Sequence, residues 1–283
     1  MSKRVIFHIG HGKTGTSAIQ KFMVNACKDN RNFAYAKTAR APDGGHHTLY
    51  SANHDTYDLL LQEITQCNVS NFVISSETGL PNMRHFSQQN DYKFQFFSEL
   101  AQTFNVYVIY YVRNHFDILE SAFLQYIEDS DKSFYRDLCS GDNEIIELAR
   151  HRFTERYFNP GIDAKDWINN APTRQFDYFS NINDFWEPLL GRDNIITKVY
   201  NKDSLLSRDI VTDFLSLLSF ELDLGAREKI ENNITPAFLK LPRHFIYDAS
   251  TIEKVKYTFA ESAVKYAKRY LNTHDAKLLT KGF

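Results

Sequence analysis

The sequence predicts an α/β fold: a central parallel sheet between two layers of helices, with a helical C-terminal part. Three observations carry that expectation. Val5–Ile9, Phe72–Ser75, Val106–Val112 and Ile195–Val199 are short runs rich in β-branched and aromatic residues, as strands covered on both faces are. Longer stretches with helical spacing lie between these runs, and strand–helix alternation builds parallel sheets. Glycines cluster directly after the first run, at Gly10, Gly12 and Gly15, where such folds turn from strand to helix beside a ligand.

Taken in order, Val5–Ile9 is the first strand and Ser17–Cys27 the helix that follows it. Phe33–Ala36 is a short strand. Leu60, Leu61 and Ile64 mark one face of a helix over Tyr57–Thr65. Phe72–Ser75 is a buried strand, Tyr92–Phe104 a helix, Val106–Val112 the strongest strand signal, and Ile118–Ile127 a further helix. Ile195–Val199 is a later strand, and after Ser204 the pattern is mostly helical. Arg150–Trp186 breaks this pattern. It is polar, rich in Asn and aromatics, and interrupted by Pro160-Gly161 and Pro172. It reads either as an excursion over an acceptor or as a surface connection. The chain, 1–283, is expected to be one domain. A ligand-binding core takes up about 1–130 and 185–220, a covering segment 131–184, and a helical part 221–283.

Composition sets the class. Hydrophobic residues make up 43% and charged residues 24% of 283 residues, ordinary for a soluble globular protein with a sizeable core. A formal net charge of −2 gives no global field for nucleic acid. The 23 Phe and 16 Tyr suit a core or a sugar-binding surface. Cys27, Cys67 and Cys139 are odd in number and far apart, which argues for a reducing compartment rather than a disulfide framework. No apolar run is long enough to span a membrane, and the stretch after Lys3 and Arg4 stops at His8, unlike a secretory signal. The expected location is cytoplasmic, with contact at a membrane surface if the acceptor is lipid-linked.

The segment HIGHGKTGTSAIQ, His8 to Gln20, has the makings of a phosphate loop. Its glycines permit tight turns and close backbone approach. Amides at the start of the next helix attract anions, and the helix dipole adds to that attraction. Lys13 contributes a cation, and Thr14, Thr16 and Ser17 contribute hydroxyls. Gly12-Lys13-Thr14 imitates the end of a Walker loop, but the first glycine of that pattern falls on Phe7, so an ordinary ATP site is not expected. His11 lies in the same loop and is expected to face solvent. Here the chain resembles the sulfotransferases that use 3′-phosphoadenosine 5′-phosphosulfate (PAPS), above all the bacterial and carbohydrate-modifying ones. Their loop runs from strand through a KTGT-like segment into helix, and Lys13-Thr14-Gly15-Thr16-Ser17 matches it.

The resemblance continues at YVRNHFDILESAFLQY, Tyr111 to Tyr126, where Arg113 closes a strand and Ser121 follows eight positions later. It implies a P-loop-like fold and a pair, Arg113 and Ser121, holding the 3′-phosphate that distinguishes PAPS from ATP. It implies PAPS as co-substrate and 3′,5′-bisphosphoadenosine (PAP) as product. It covers the first 130 residues well and Phe185–Phe214 weakly. A C-terminal RxxGxxGxW-type loop, which many cytosolic members close over the nucleotide, has no counterpart in this chain.

Sulfuryl transfer needs a base for the acceptor hydroxyl and positive charge for the leaving phosphate, by analogy with phosphoryl transfer. Lys13 and Gly12–Ser17 answer the second need. Glu77, after the Phe72–Ser75 strand, is one candidate base, in the place where cytosolic family members end Lys-Thr-His. The His46-His47 pair, after Gly44-Gly45, is the other. No metal constellation stands out, and the scheme requires no metal. The expected activity is transfer from PAPS to a carbohydrate or glycolipid hydroxyl. The alternatives are an ATP- or GTP-dependent small-molecule kinase, for which no strand end offers a clear Walker B aspartate, and a nucleotide-binding protein without transfer activity.

Overall fold

Five strands form one sheet among the residues that the structure, a computed structural model, describes: 3–27, 33–77, 91–158, 176–218 and 244–283. The strands are β1 (Arg4–Gly10), β2 (Phe33–Tyr35), β3 (Asn71–Glu77), β4 (Asn105–Val112) and β5 (Ile195–Val199). All are parallel, in the order β2-β3-β1-β4-β5. The helices are α1 (Thr16–Ala26), α2 (His54–Gln66), α3 (Tyr92–Thr103), α4 (His115–Ser130), α5 (Lys132–Cys139), α6 (Asn143–Phe158), α7 (Ile210–Leu217), α8 (Ala249–Tyr270) and α9 (Thr273–Leu279). Short helical turns occupy Tyr178–Asn181, Ile182–Trp186 and Glu187–Leu190.

The chain divides into two compact units. The first comprises Met1–Val112 and Tyr178–Asn232, the second Arg113–Asp177 and Asn233–Phe283. The leading segment of the first unit ends with β4, and α4, in the second unit, packs with α5.

In the first unit the strands bury both faces. Ile6, Val73, Ile109 and Tyr111 meet Ala18, Ile19 and Met23 of α1 and Ile210, Val211 and Phe214 of α7. On the opposite face Phe7 packs against Phe97 of α3 at 5.3 Å and against Trp186 at 5.8 Å. Helices therefore cover the sheet on two sides, which the unbroken apolar strands require. With β1 between β3 and β4, strand order reverses at its carboxyl end, the place where open α/β sheets bind ligands.

In the second unit, Phe123 of α4 meets Phe153 of α6 at 5.3 Å. His115 stacks on Phe259 of α8 at 4.5 Å. One expectation for Arg150–Trp186 needs correction. Arg150–Phe158 belongs to α6, held by the buried seam Ala149, Phe153 and Tyr157. Phe185 and Trp186, at the start of the expected core segment 185–220, are buried. The rest of that expected cover, 159–175 with Pro160-Gly161 and Pro172, lies outside the described residues, as does 219–243. Within 221–283, the described part is helical over α8 and α9.

Candidate functional site

The loop between β1 and α1 is built on two left-handed residues, Lys13 (φ 69°) and Gly15 (φ 79°). Gly15 is needed twice over. A Cβ there would also come within 2.8 Å of the Tyr200 ring and 2.9 Å of Ile210. Gly15 caps α1 without a side chain. Helices α2, α3, α4, α5, α7, α8 and α9 instead start on an Asn or Asp that accepts a first-turn amide. The first-turn amides of α1 are therefore not spent on a capping side chain, as an anion site needs.

The hydroxyls in the loop divide by direction. Thr14 and Thr16 are buried. The Thr14 hydroxyl donates to the His11 carbonyl at 2.7 Å, and the Thr16 hydroxyl reaches the same oxygen at 3.4 Å. Ser17 is exposed, and Gly12 and Lys13 are half-buried. His11 does not face solvent as expected. It is buried, with Nε2 2.7 Å from the Tyr110 hydroxyl and its ring packed on Tyr178. It braces the loop against β4.

Glu77 arrives beside this loop by register. It is the last residue of β3 and lies opposite Gly10, the last residue of β1. A Cβ on Gly12 would come 2.9 Å from Glu77 Oε1, so the carboxylate sits against the loop backbone. Burial, with the Asp43 carboxylate second, raises the Glu77 pKa above the usual carboxylate range. Lys13 and His47 pull the other way. Lys13, His47 and Asp43 are thus each within electrostatic reach of Glu77 at the carboxyl edge of the sheet.

His46 and His47 reach this edge by an interrupted strand. Ala36 N–H donates to the Val73 carbonyl at 3.0 Å, the chain loops out over 37–45, and His46 N–H resumes pairing with the Ser75 carbonyl at 2.8 Å. The two histidines then differ. His46 is fully buried; its Nε2 lies 3.0 Å from the Ala36 carbonyl, and its Nδ1 lies 3.0 Å from the Ser75 carbonyl and 3.3 Å from Ser75 N. A neutral ring is satisfied there by main chain alone, and burial lowers its pKa. His46 is placed as a strut, not as a base. The His47 side chain is 42% exposed, with Nδ1 3.9 Å from Asp43 Oδ2.

Arg113 and Ser121 belong to the second unit. Arg113 directly follows β4, and Ser121 lies on α4; both are half-buried. The start of α4 is firmly held. Asn114 accepts from Phe116 N–H at 3.0 Å and donates to the Leu279 and Lys281 carbonyls at 2.8 and 2.9 Å.

Sequence reasoning missed three features. Asp43 is visible only as a turn residue, its carboxylate accepting from Gly45 N–H at 3.0 Å. Tyr111 donates to Asp213 at 2.6 Å, and Lys198 lies 3.3 Å from the same carboxylate. This buried network ties α7 to β4 and β5. The third is a buried contact between His8 and Ser75. Among the described residues His54, Asp55 and Asp58 could together ligate a metal ion, but all are exposed, and His54 and Asp58 already pair at 2.9 Å. No helix there is long and apolar enough to cross a membrane. Comparison with protein-family models, with curated proteins and with solved structures finds no match to this chain.

Proposed function

We propose that this chain is a PAPS-dependent sulfotransferase on a P-loop-like α/β fold, acting in the cytoplasm on a carbohydrate or glycolipid hydroxyl. One observation carries the reading. A lysine in the strand–loop–helix turn after β1 lies within electrostatic reach of a carboxylate with weakened acidity, at the end of β3 opposite the end of β1. Such a pairing of cation and base suits group transfer to a hydroxyl.

The proposed roles follow from that arrangement. The 5′-phosphate sits on the amides that open α1, with Ser17 and Thr16 at hand. The acceptor oxygen attacks sulfur in line as the bond from sulfur to the bridging oxygen breaks. Glu77 takes the hydroxyl proton, and the electron pair of the broken bond goes to the phosphate of PAP. Lys13 offsets the charge that develops there. Raised basicity helps Glu77 as an acceptor, provided it is ionised at the working pH. Arg113 and Ser121 hold the 3′-phosphate; the R-x7-S spacing supports that role, with a planar guanidinium fork suited to phosphate. His47, with Asp43 beside it, contacts the acceptor. Unpaired cysteines among the described residues support a reducing location.

The test is PAPS-dependent transfer to a panel of sugar acceptors. Lys13→Ala is expected to lower turnover by roughly a hundredfold or more. Near-normal turnover in that variant would remove Lys13 from the mechanism.

A further inference from the structure

Beneath the loop lies a buried histidine to which none of these steps gives a role. His8 sits on β1 two residues before Gly10, is 0% exposed, and is packed by the rings of Tyr111 and Phe214. Its Nδ1 is 2.8 Å from Ser75 Oγ, while its Nε2 is buried without a hydrogen-bond partner. An orphaned polar atom at such depth is costly and calls for an explanation. Nε2 points at the underside of the loop. It lies 3.8 Å from the position a Cβ on Gly10 would take, and the Thr16 and Thr14 hydroxyls lie 2.9 and 3.0 Å from that same point. Burial lowers the His8 pKa to about 3, so the ring is neutral and offers one N–H and one lone pair.

We propose that His8 is a positioning residue for the anion: Ser75 donates to Nδ1, and Nε2–H donates to the Thr16 hydroxyl when Thr16 rotates about χ1, bringing its oxygen within reach of the ring and its hydrogen to a bound phosphate oxygen. Thr16 is the more loosely held of the pair, its oxygen 3.3 Å from the Thr14 hydroxyl. Its contact with the His11 carbonyl is 3.4 Å, against 2.7 Å for Thr14, and a bond that long is weak. Once Thr16 has rotated, its oxygen needs a donor behind it, and Nε2–H faces the same space beside Gly10. Donors then run in one direction, imidazole to hydroxyl to phosphate, and each polarises the next. Gly10 keeps this space open, since a side chain there would press on both hydroxyls. The proposal rests on reading the loop as a phosphate site.

Two measurements test it. Nitrogen-15 NMR of the wild-type chain reports which ring nitrogen of His8 carries the proton and requires no substitution. Nε2 is expected; a proton on Nδ1 overturns the proposal. Calorimetry with PAP then compares His8→Gln, whose amide reaches the place of Nε2, with His8→Asn and His8→Phe, which leave that place without a donor. His8→Gln is expected to bind within about threefold of wild type, and the other two about tenfold more weakly. His8→Phe is expected to melt no lower than wild type, because it removes the orphaned atom. Equal PAP affinity in all four proteins, or losses that follow the melting temperature, would mean that His8 only packs. If wild type itself fails to bind PAP, the phosphate-loop reading falls and this proposal falls with it.

Discussion

Glu77 and His46 flank the same strand end, and the direction of their polar atoms separates their roles. The His46 ring nitrogens are taken up by main chain, so His46→Ala should strand a buried carbonyl and an amide. A stability loss of about 1–3 kcal/mol is expected in denaturant melts. His47→Ala should leave stability unchanged and raise KM for the acceptor. Glu77→Gln keeps size and removes basicity, and turnover is expected to drop by roughly 10²–10⁴, with PAP affinity within a few fold. Its stability should move the other way. A carboxyl whose pKa is raised on folding stabilises the fold fully below its unfolded pKa and loses that contribution as pH rises through the folded value. Glu77→Gln should therefore melt above wild type at pH 8, with the gap closing towards pH 4. A lower melting temperature at pH 8 would mark Glu77 as a structural ion-pair partner. The residue types of this site were legible in the sequence, because Lys13, Gly15 and Glu77 carry chemistry in themselves. The split within His46-His47 was not, since it depends on a strand that breaks after Ala36 and resumes at His46.

At the scale of elements, the β1–α1 turn and the β4–α4 junction carry the proposed nucleotide contacts. Gly15→Ala would force a side chain into a left-handed position already filled by Tyr200 and Ile210. A destabilisation of about 2–4 kcal/mol is expected, read by chemical denaturation; tolerance of alanine would mean that the turn relaxes freely. Arg113→Ala should weaken PAP by roughly 2–4 kcal/mol and adenosine 5′-monophosphate hardly at all. Equal losses for both ligands would place Arg113 elsewhere than at the 3′-phosphate. The strands were legible because a buried parallel strand is apolar throughout. Their ends were less so: β3 runs on through Ser76 to Glu77, polar residues paired only by register with β1. Helix α6 was missed because Ala149, Phe153 and Tyr157 make too thin a seam to stand out among charged neighbours. The inward turn of Thr14 had no local signal, since a threonine hydroxyl in a loop serves a carbonyl or a ligand equally well.

Over the whole molecule, buried neutral histidines set a weakness in acid. Burial lowers the pKa of His8 to about 3 and that of His115 to about 4, and also lowers that of His46. Each gives stability that is full above the unfolded histidine pKa and is lost as pH falls towards the folded value. Each should steepen the loss by about 1.4 kcal/mol per pH unit. Melts between pH 7 and 4.5 should show this slope, and His115→Phe should reduce it. A flat profile would mean that these rings reach solvent before the fold opens. The α/β class and parallel sheet were legible from alternation alone. The division after Val112 was not, because α4 follows β4 with only Arg113 and Asn114 between them and no linker-like composition marks the boundary. The central claim is that the loop after β1 binds a bisphosphorylated nucleotide. Calorimetry of the full chain with PAP and with ATP, both without magnesium, tests it most directly. The account predicts tight binding of PAP and much weaker binding of ATP; ATP binding as well as PAP, or better, would contradict it.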